Sequence, residues 1–96
     1  MKKIRDYQVE WDEEKAKKNE RRHGITFDDA ALVFADRNRI EFYDTKHSEW
    51  EDRFMTVGKV KRTITVIYTT REREIIRIIS ARKATKQEED IYYGYR

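Results

Sequence analysis

The sequence predicts an α+β domain, an antiparallel sheet with helices packed on one face. Three observations carry that expectation. Two runs rich in isoleucine, valine and threonine, Thr63 to Thr70 and Ile75 to Ala81, have the length and β-branched content of strands near the centre of a sheet. Thr26 and Thr85 each stand three residues before an acid, Asp29 and Glu88, the spacing at which a threonine caps a helix and the acid answers it. The chain has 96 residues, enough for one modest core and too few for two, so residues 1–96 are read as a single domain.

The elements follow in the order β-α-α-β-β-β-β-α. Tyr7-Gln8-Val9-Glu10-Trp11 alternates at period two, a short strand with Tyr7, Val9 and Trp11 facing inward. Asp12 caps a helix whose first turn, with Glu13 and Glu14, suits the positive end of the helix dipole. That helix runs to Arg22 with Ala16 as its only apolar residue, and Gly24 ends it. After Thr26, the residues Phe27, Ala30, Ala31 and Phe34 fall on one face of a helix of about ten residues, closed by Asp36-Arg37-Asn38. Ile40 to Tyr43 is a short strand and Asp44 to Asp52 a polar loop. Phe54 to Gly58 and Thr63 to Thr70 flank Lys59-Val60-Lys61-Arg62 as a hairpin. In its second strand Ile64, Val66 and Tyr68 share a core face, while Thr63, Thr65, Ile67 and Thr69 form an open one. A charged turn, Thr70 to Glu74, leads into Ile75 to Ala81, and Thr85 opens a last helix anchored by Ile91, Tyr92 and Tyr95.

Composition excludes several classes. There is no cysteine, so a disulfide framework and thiolate metal sites are ruled out. No apolar run approaches the roughly 20 residues of a membrane span, and the N-terminus lacks a signal-peptide core, so a soluble cytoplasmic protein is expected. The 22 basic residues are nearly balanced by 19 acidic ones, and a net charge of +3 is by itself a poor argument for nucleic-acid binding.

Particular charged positions say more. In Ile75-Ile76-Arg77-Ile78-Ile79-Ser80-Ala81-Arg82, strict alternation puts Arg77 and Arg82 on opposite faces unless a bulge intervenes. Either guanidinium suits a bidentate grip on phosphate. Pairing with a neighbouring carboxylate is the plainer reading, and spacing alone favours it. The loop His47-Ser48-Glu49-Trp50-Glu51-Asp52-Arg53 gathers an imidazole, acids, an arginine and an indole. That mixture supplies what phosphodiester cleavage needs, a proton acceptor, a proton donor and a cation, and Trp50 could stack a base. It also describes a solvated loop with one anchoring tryptophan. His23, in the last turn of a helix, is explained by the dipole alone. Two histidines at positions 23 and 47 have no close ligand spacing, so neither a metal nor another cofactor is expected.

Several ordered segments closely resemble the BrnT family of bacterial toxins. They are Val9-Glu10-Trp11-Asp12-Glu13-Glu14-Lys15 with Asn19, His23-Gly24-Ile25-Thr26-Phe27, His47-Ser48 with Glu51-Asp52-Arg53, and Ile76-Arg77-Ile78-Ile79-Ser80-Ala81-Arg82-Lys83-Ala84-Thr85 with Glu88. The resemblance implies a RelE-like ribonuclease fold and the toxin of a type II toxin–antitoxin pair. Such a toxin cleaves RNA without a metal, and a small antitoxin, BrnA in that family, silences it. DNA would be reached only through the antitoxin, and the oligomer would be the toxin–antitoxin complex. The resemblance makes Arg53, Arg77 and Arg82 candidates for phosphate binding, and Glu51, His47 and His23 candidates for proton transfer. Lys15, Trp50, Ser80 and Lys83 become candidate RNA contacts. Glu89-Asp90 stands where relatives tend to carry basic residues, which leaves the last helix for packing or antitoxin binding. A non-catalytic binding module of the same fold is the competing reading.

Overall fold

A computed structural model describes residues 1–94; Tyr95, expected as an anchor of the last helix, lies outside them. The chain forms β1 (Lys2–Ile4), β2 (Tyr7–Glu10), α1 (Glu13–His23), α2 (Phe27–Leu32), β3 (Ile40–Tyr43), β4 (Phe54–Val60), β5 (Arg62–Arg71), β6 (Ile75–Lys83) and α3 (Lys86–Tyr93). The strands make one sheet in the order β1-β2-β6-β5-β4-β3. Its pairs are antiparallel except β2 with β6, which is parallel.

The helix boundaries have the expected causes. Asp12 accepts from the Lys15 N–H at 3.0 Å, and Gly24 closes α1 in the left-handed conformation at φ 70°. Thr26 caps α2, and Thr85 with Glu88 forms a reciprocal capping box on α3. Val9, Ile64, Val66, Ile76, Ile78 and Ala81 present one sheet face to Ile25, Phe27, Ala30, Ala31 and Phe34, and this is the main core.

The α+β class stands, with three additions to the expected layout. The N-terminal strand β1 has no period to betray it; buried Ile4 and the Lys2 ammonium, 2.9 Å from Asp28, hold it in place. The second helix gives way after Leu32 to a 3-10 turn over Val33–Ala35, which carries Phe34 into the core. This turn lies close on β4, where a Cβ on Gly58 would meet Val33 Cγ1 at 2.7 Å. The third difference concerns α3. Helices α1 and α2 cover the Ile64 and Val66 side, but Tyr92 of α3 packs with Val57 and Ala84, and the Thr65 hydroxyl donates to Glu88 at 2.8 Å. Val57 pairs with Thr65 and so points away from Ile64 and Val66, which puts α3 on the opposite face from α1 and α2. The threonines of β5 supply the polar partners that make this second cover possible.

Two features set the geometry of β6. Ile67 pairs with Ser80 but Tyr68 pairs with Ile78, so Ile79 is an extra residue, a bulge in the strand. The parallel pairing with β2 ends at Arg77, which leaves the following edge of β6 without a neighbouring strand. Asn19 of α1 takes over there. Its Nδ2 donates to the Ala81 carbonyl at 2.9 Å, its Oδ1 accepts from the Ala81 N–H at 3.1 Å, and Nδ2 also donates to the Ile25 carbonyl at 3.1 Å. A side-chain amide thus stands in for one residue of a strand.

Replacing Asn19 with alanine leaves the Ala81 N–H and C=O without partners in a buried site, where each orphaned group costs about 1–3 kcal/mol. Urea unfolding should show Asn19→Ala destabilised by about 3 kcal/mol, and a loss under about 0.5 kcal/mol would contradict this role.

Candidate active site

The bulge decides which side chains meet. Before it, Ile76 and Ile78 face the core; after it, Ala81 does. The extra residue therefore shifts the alternation by one, and Arg77, Ser80 and Arg82 all point to the other face, on the side of Thr65, Ile67 and Thr69. The two arginines that strict alternation separates share one surface.

Across the strands at that level runs a polar row. Glu10 of β2 is the register partner of Arg77, and Arg77 is the partner of Thr69 on β5. Arg53 stands one residue before Phe54, the partner of Tyr68, and so continues the row next to Thr69. Arg77 Nη1 lies 2.7 Å from Glu10 Oε2, and Arg71 Nε reaches the same oxygen at 3.8 Å. Next to the row, half-buried Met55, Ile67 and Ser80 form an open floor. Arg82 bounds it on the α3 side.

Arg82 is gripped from α3. Its Nη1 and Nη2 donate to the two Glu88 carboxylate oxygens at 2.8 and 2.9 Å. Burial by itself would raise the Glu88 pKa, but donors from Arg82, the Thr85 N–H and the Thr65 hydroxyl outweigh it and hold the group at about 2. The same contacts raise the Arg82 pKa further above its ordinary value, against the opposing effect of burial.

The loop after β3 reaches the row from the β4 side. Ser48 ties it shut: its hydroxyl donates to the Asp44 carbonyl at 2.5 Å and accepts from the Arg53 N–H at 3.0 Å. The Thr69 hydroxyl donates to the Asp52 carbonyl at 2.6 Å, which anchors the loop at the row. His47 Nδ1 rests on Asp44 at 3.0 Å, and Glu51 lies 3.6 Å from Arg53 Nε, beyond hydrogen-bond reach. Arg53 Nε is buried and has no acceptor. Trp50 is 93% exposed, so it anchors nothing within the described chain.

The fold thus brings Arg77, Ser80 and Arg82 together on one face, with His47, Trp50, Glu51 and Arg53 on the adjoining loop. Three sequence candidates lie elsewhere. His23 ends α1 beside the β4–β5 hairpin, where the neighbouring Gly24 carbonyl accepts from Arg62 at 2.9 Å. Arg62 and Thr69 are seven residues apart on β5, so His23 is about 20 Å from the row. Lys83 pairs with Ile64 and therefore emerges on the α1 side, at the same end. Lys15 is on the exposed surface of α1. Conversely, Glu10 stands in the row although sequence reading gave it no role; nothing local links it to a residue 67 positions away.

A separate cleft of about 1090 Å³ opens on the α1 and α2 side, lined in part by Arg5, Tyr7, Phe34, Arg39, Glu41 and Tyr68. Arg39 donates there to Glu41 and Thr56 at 2.9 and 3.0 Å and to the Tyr7 hydroxyl at 3.2 Å, while the Tyr68 hydroxyl donates to Glu41. Arg39, Glu41, Tyr7 and Tyr68 thus satisfy one another within the cleft. Among the described residues no three His, Asp or Glu side chains gather as a metal cage, and no helix is long and apolar enough to cross a membrane.

Residues 11–88 match the family model described as the ribonuclease toxin BrnT of type II toxin–antitoxin systems. The chain belongs to the BrnT family. Among solved structures it is similar to the ribonuclease toxin BrnT of Brucella abortus, determined at 1.1 Å resolution, at 25% identity and a TM-score of 0.64, over 83% of this chain and 99% of that one. No curated protein matches. The BrnT match runs from Trp11 to Glu88, the partner of Arg82, so it includes Arg53, Arg77 and Arg82, the loop and the bulged strand, while Glu10 of the row lies one residue before it.

The depressed Glu88 pKa has a signed consequence. Its contribution to stability is complete above the ordinary carboxylate value of 4.5 and fades as pH falls toward about 2. Thermal melts should show Glu88→Gln less stable than wild type at neutral pH, with the gap closing between those two values. A gap independent of pH would refute the linkage.

Proposed function

We propose that this BrnT-family chain is an endoribonuclease toxin that cleaves RNA without a metal ion, with the face carrying Arg53, Arg77 and Arg82 as its active surface. The observation that carries the reading is the bulge in β6, which sets Arg77 and Arg82 on one face of the sheet, with Arg53 next to Thr69 in the same row. Guanidinium groups gathered on one face suit a phosphate, whose oxygens are acceptors of the right charge. The 2′-hydroxyl oxygen attacks the adjacent phosphorus, the arginines stabilise the charge that builds on the non-bridging oxygens, and the P–O5′ bond breaks. His47, with Nδ1 on Asp44, presents Nε2 as the proton donor to the leaving 5′-oxygen. Glu51 steers Arg53, and the exposed Trp50 offers a stacking surface to a base. Ser80 contributes a hydroxyl between the two strand arginines.

In this reading RNA cleavage inhibits translation and growth in the cytoplasm until a BrnA-like antitoxin binds. The complex of the two is the assembled state, and DNA is reached only through the antitoxin. The exposed Ile91 and Tyr93 on α3 are apolar and lie outside the row, which suits that helix to the antitoxin.

Purified protein incubated with RNA and excess EDTA should release fragments ending in 2′,3′-cyclic phosphate. Arg53→Ala and Arg77→Ala should each lower the rate by about 10²-fold or more and abolish growth inhibition while the fold persists. Full activity in both variants would reject the site, and RNA binding without cleavage by wild type would favour a binding module.

A further inference from the structure

We infer that Glu10 is the proton acceptor for the 2′-hydroxyl. The inference rests on the ribonuclease reading above and adds a catalytic residue to it. Four observations point the same way. Glu10 is the carboxylate that the sheet itself places in the arginine row, as the register partner of Arg77. Its Oε2 is held by Arg77 at 2.7 Å and approached by Arg71 at 3.8 Å, so the carboxylate has a fixed direction. The side chain retains 23% of its exposure, enough for a substrate to reach it. It stands on a strand, whereas Glu51 sits on a loop beside Arg53 at the other end of the row. His23, about 20 Å away along the sheet, is too far to take that proton.

Around Glu10 the charged neighbours are Arg77 on β6, Arg71 at the end of β5, and Lys2, Glu13 and Asp28, which line a small hollow of about 270 Å³ beside it. Lys2 is engaged by Asp28 at 2.9 Å and Glu13 accepts from the Trp11 indole at 2.8 Å, so Arg77 and Arg71 are the groups that act on Glu10 directly. The step then balances. Glu10 removes the 2′-hydroxyl proton, the 2′-oxygen bonds to phosphorus, the P–O5′ bond breaks, and the 5′-oxygen takes a proton from His47. The products are a 2′,3′-cyclic phosphate and a 5′-hydroxyl, and solvent returns both side chains to their starting state.

The test compares wild type, Glu10→Gln and Glu10→Asp on a defined RNA oligonucleotide across pH 4 to 9, with circular dichroism melts as a folding control. Glutamine keeps an acceptor for Arg77 but cannot take a proton. Glu10→Gln should lose about 10²- to 10⁴-fold in kcat and lose the acid limb of the kcat/KM profile, with KM changed only a few-fold. Glu10→Asp should keep that limb at reduced kcat. A glutamine variant with wild-type kcat and an unaltered acid limb overturns the inference. So does one that raises KM alone, because Glu10 would then only position Arg77. If Glu10→Gln fails to fold, wild-type kcat in Glu10→Asp overturns it. Wild type that does not cleave RNA removes the ribonuclease reading and this inference with it, whereas loss of activity in Arg53→Ala beside a fully active Glu10→Gln sinks the inference alone.

Discussion

The clamp between Asn19 and Ala81 is the constraint on which the rest of the structure depends. A parallel β2–β6 pair ends after Glu10 and Arg77, because the chain leaves β2 to form α1. The backbone of β6 beyond that point is buried against α1 and must find partners or lose several kcal/mol. Asn19 provides a donor and an acceptor on one rigid amide, and the same Nδ2 also fastens the turn at Ile25. Helix α1 is otherwise almost wholly polar, so this amide, together with Ala16, does much of what an apolar stripe does elsewhere. With the end of β6 fixed in this way, the extra residue at Ile79 is accommodated as a bulge and the register on either side is preserved.

From that bulge follows the asymmetry between the two faces. One face is built of isoleucine, valine and aromatic rings under α1 and α2; the other gathers Arg77, Ser80 and Arg82, partly covered by α3 and flanked by the Arg53 loop. The arginines are not equivalent. Arg82 belongs to a dense network with Glu88, Thr65 and Thr85, so its exchange onto a substrate phosphate must break a two-point contact. Arg77 has a single short contact to Glu10, and ion pairs of intermediate exposure of this kind contribute about 1 kcal/mol or less. Arg53 Nε makes no hydrogen bond, and its charged neighbour is Glu51 at 3.6 Å. In the proposed reading Arg53 and Arg77 therefore exchange onto phosphate more readily than Arg82, which chiefly shapes the surface.

Much of this was legible in the sequence. The caps at Asp12, Thr26 and Thr85, the stop at Gly24 and the two-faced pattern of β5 all appear where local rules put them, because each depends on neighbours within four residues. What was hidden depends on contacts across the chain. Alternation separates Arg77 from Arg82, and only the pairing of β5 with β6 reveals the bulge that reunites them. Lys83 follows Arg82 directly yet emerges on the opposite face, which the bulge also decides. Glu10 looked like the polar half of a strand, since nothing in a five-residue stretch says which strand will lie next to it. The last helix was expected on the same face as the others. Its capping glutamate instead reaches the hydroxyl of Thr65, and so α3 covers the threonine side.

The most direct test of the account is whether one phosphodiester engages the arginine row. Side-chain ¹⁵N NMR of the guanidinium groups, recorded with an RNA oligonucleotide blocked by a 2′-deoxy sugar at the cleavage position, reads each arginine separately. The account predicts shifts at the Nε signals of Arg53 and Arg77, a smaller one at Arg82, and none at Arg62 at the far end of β5. Shifts at Arg62 with Arg53 and Arg77 unmoved would place the nucleic acid elsewhere and contradict it.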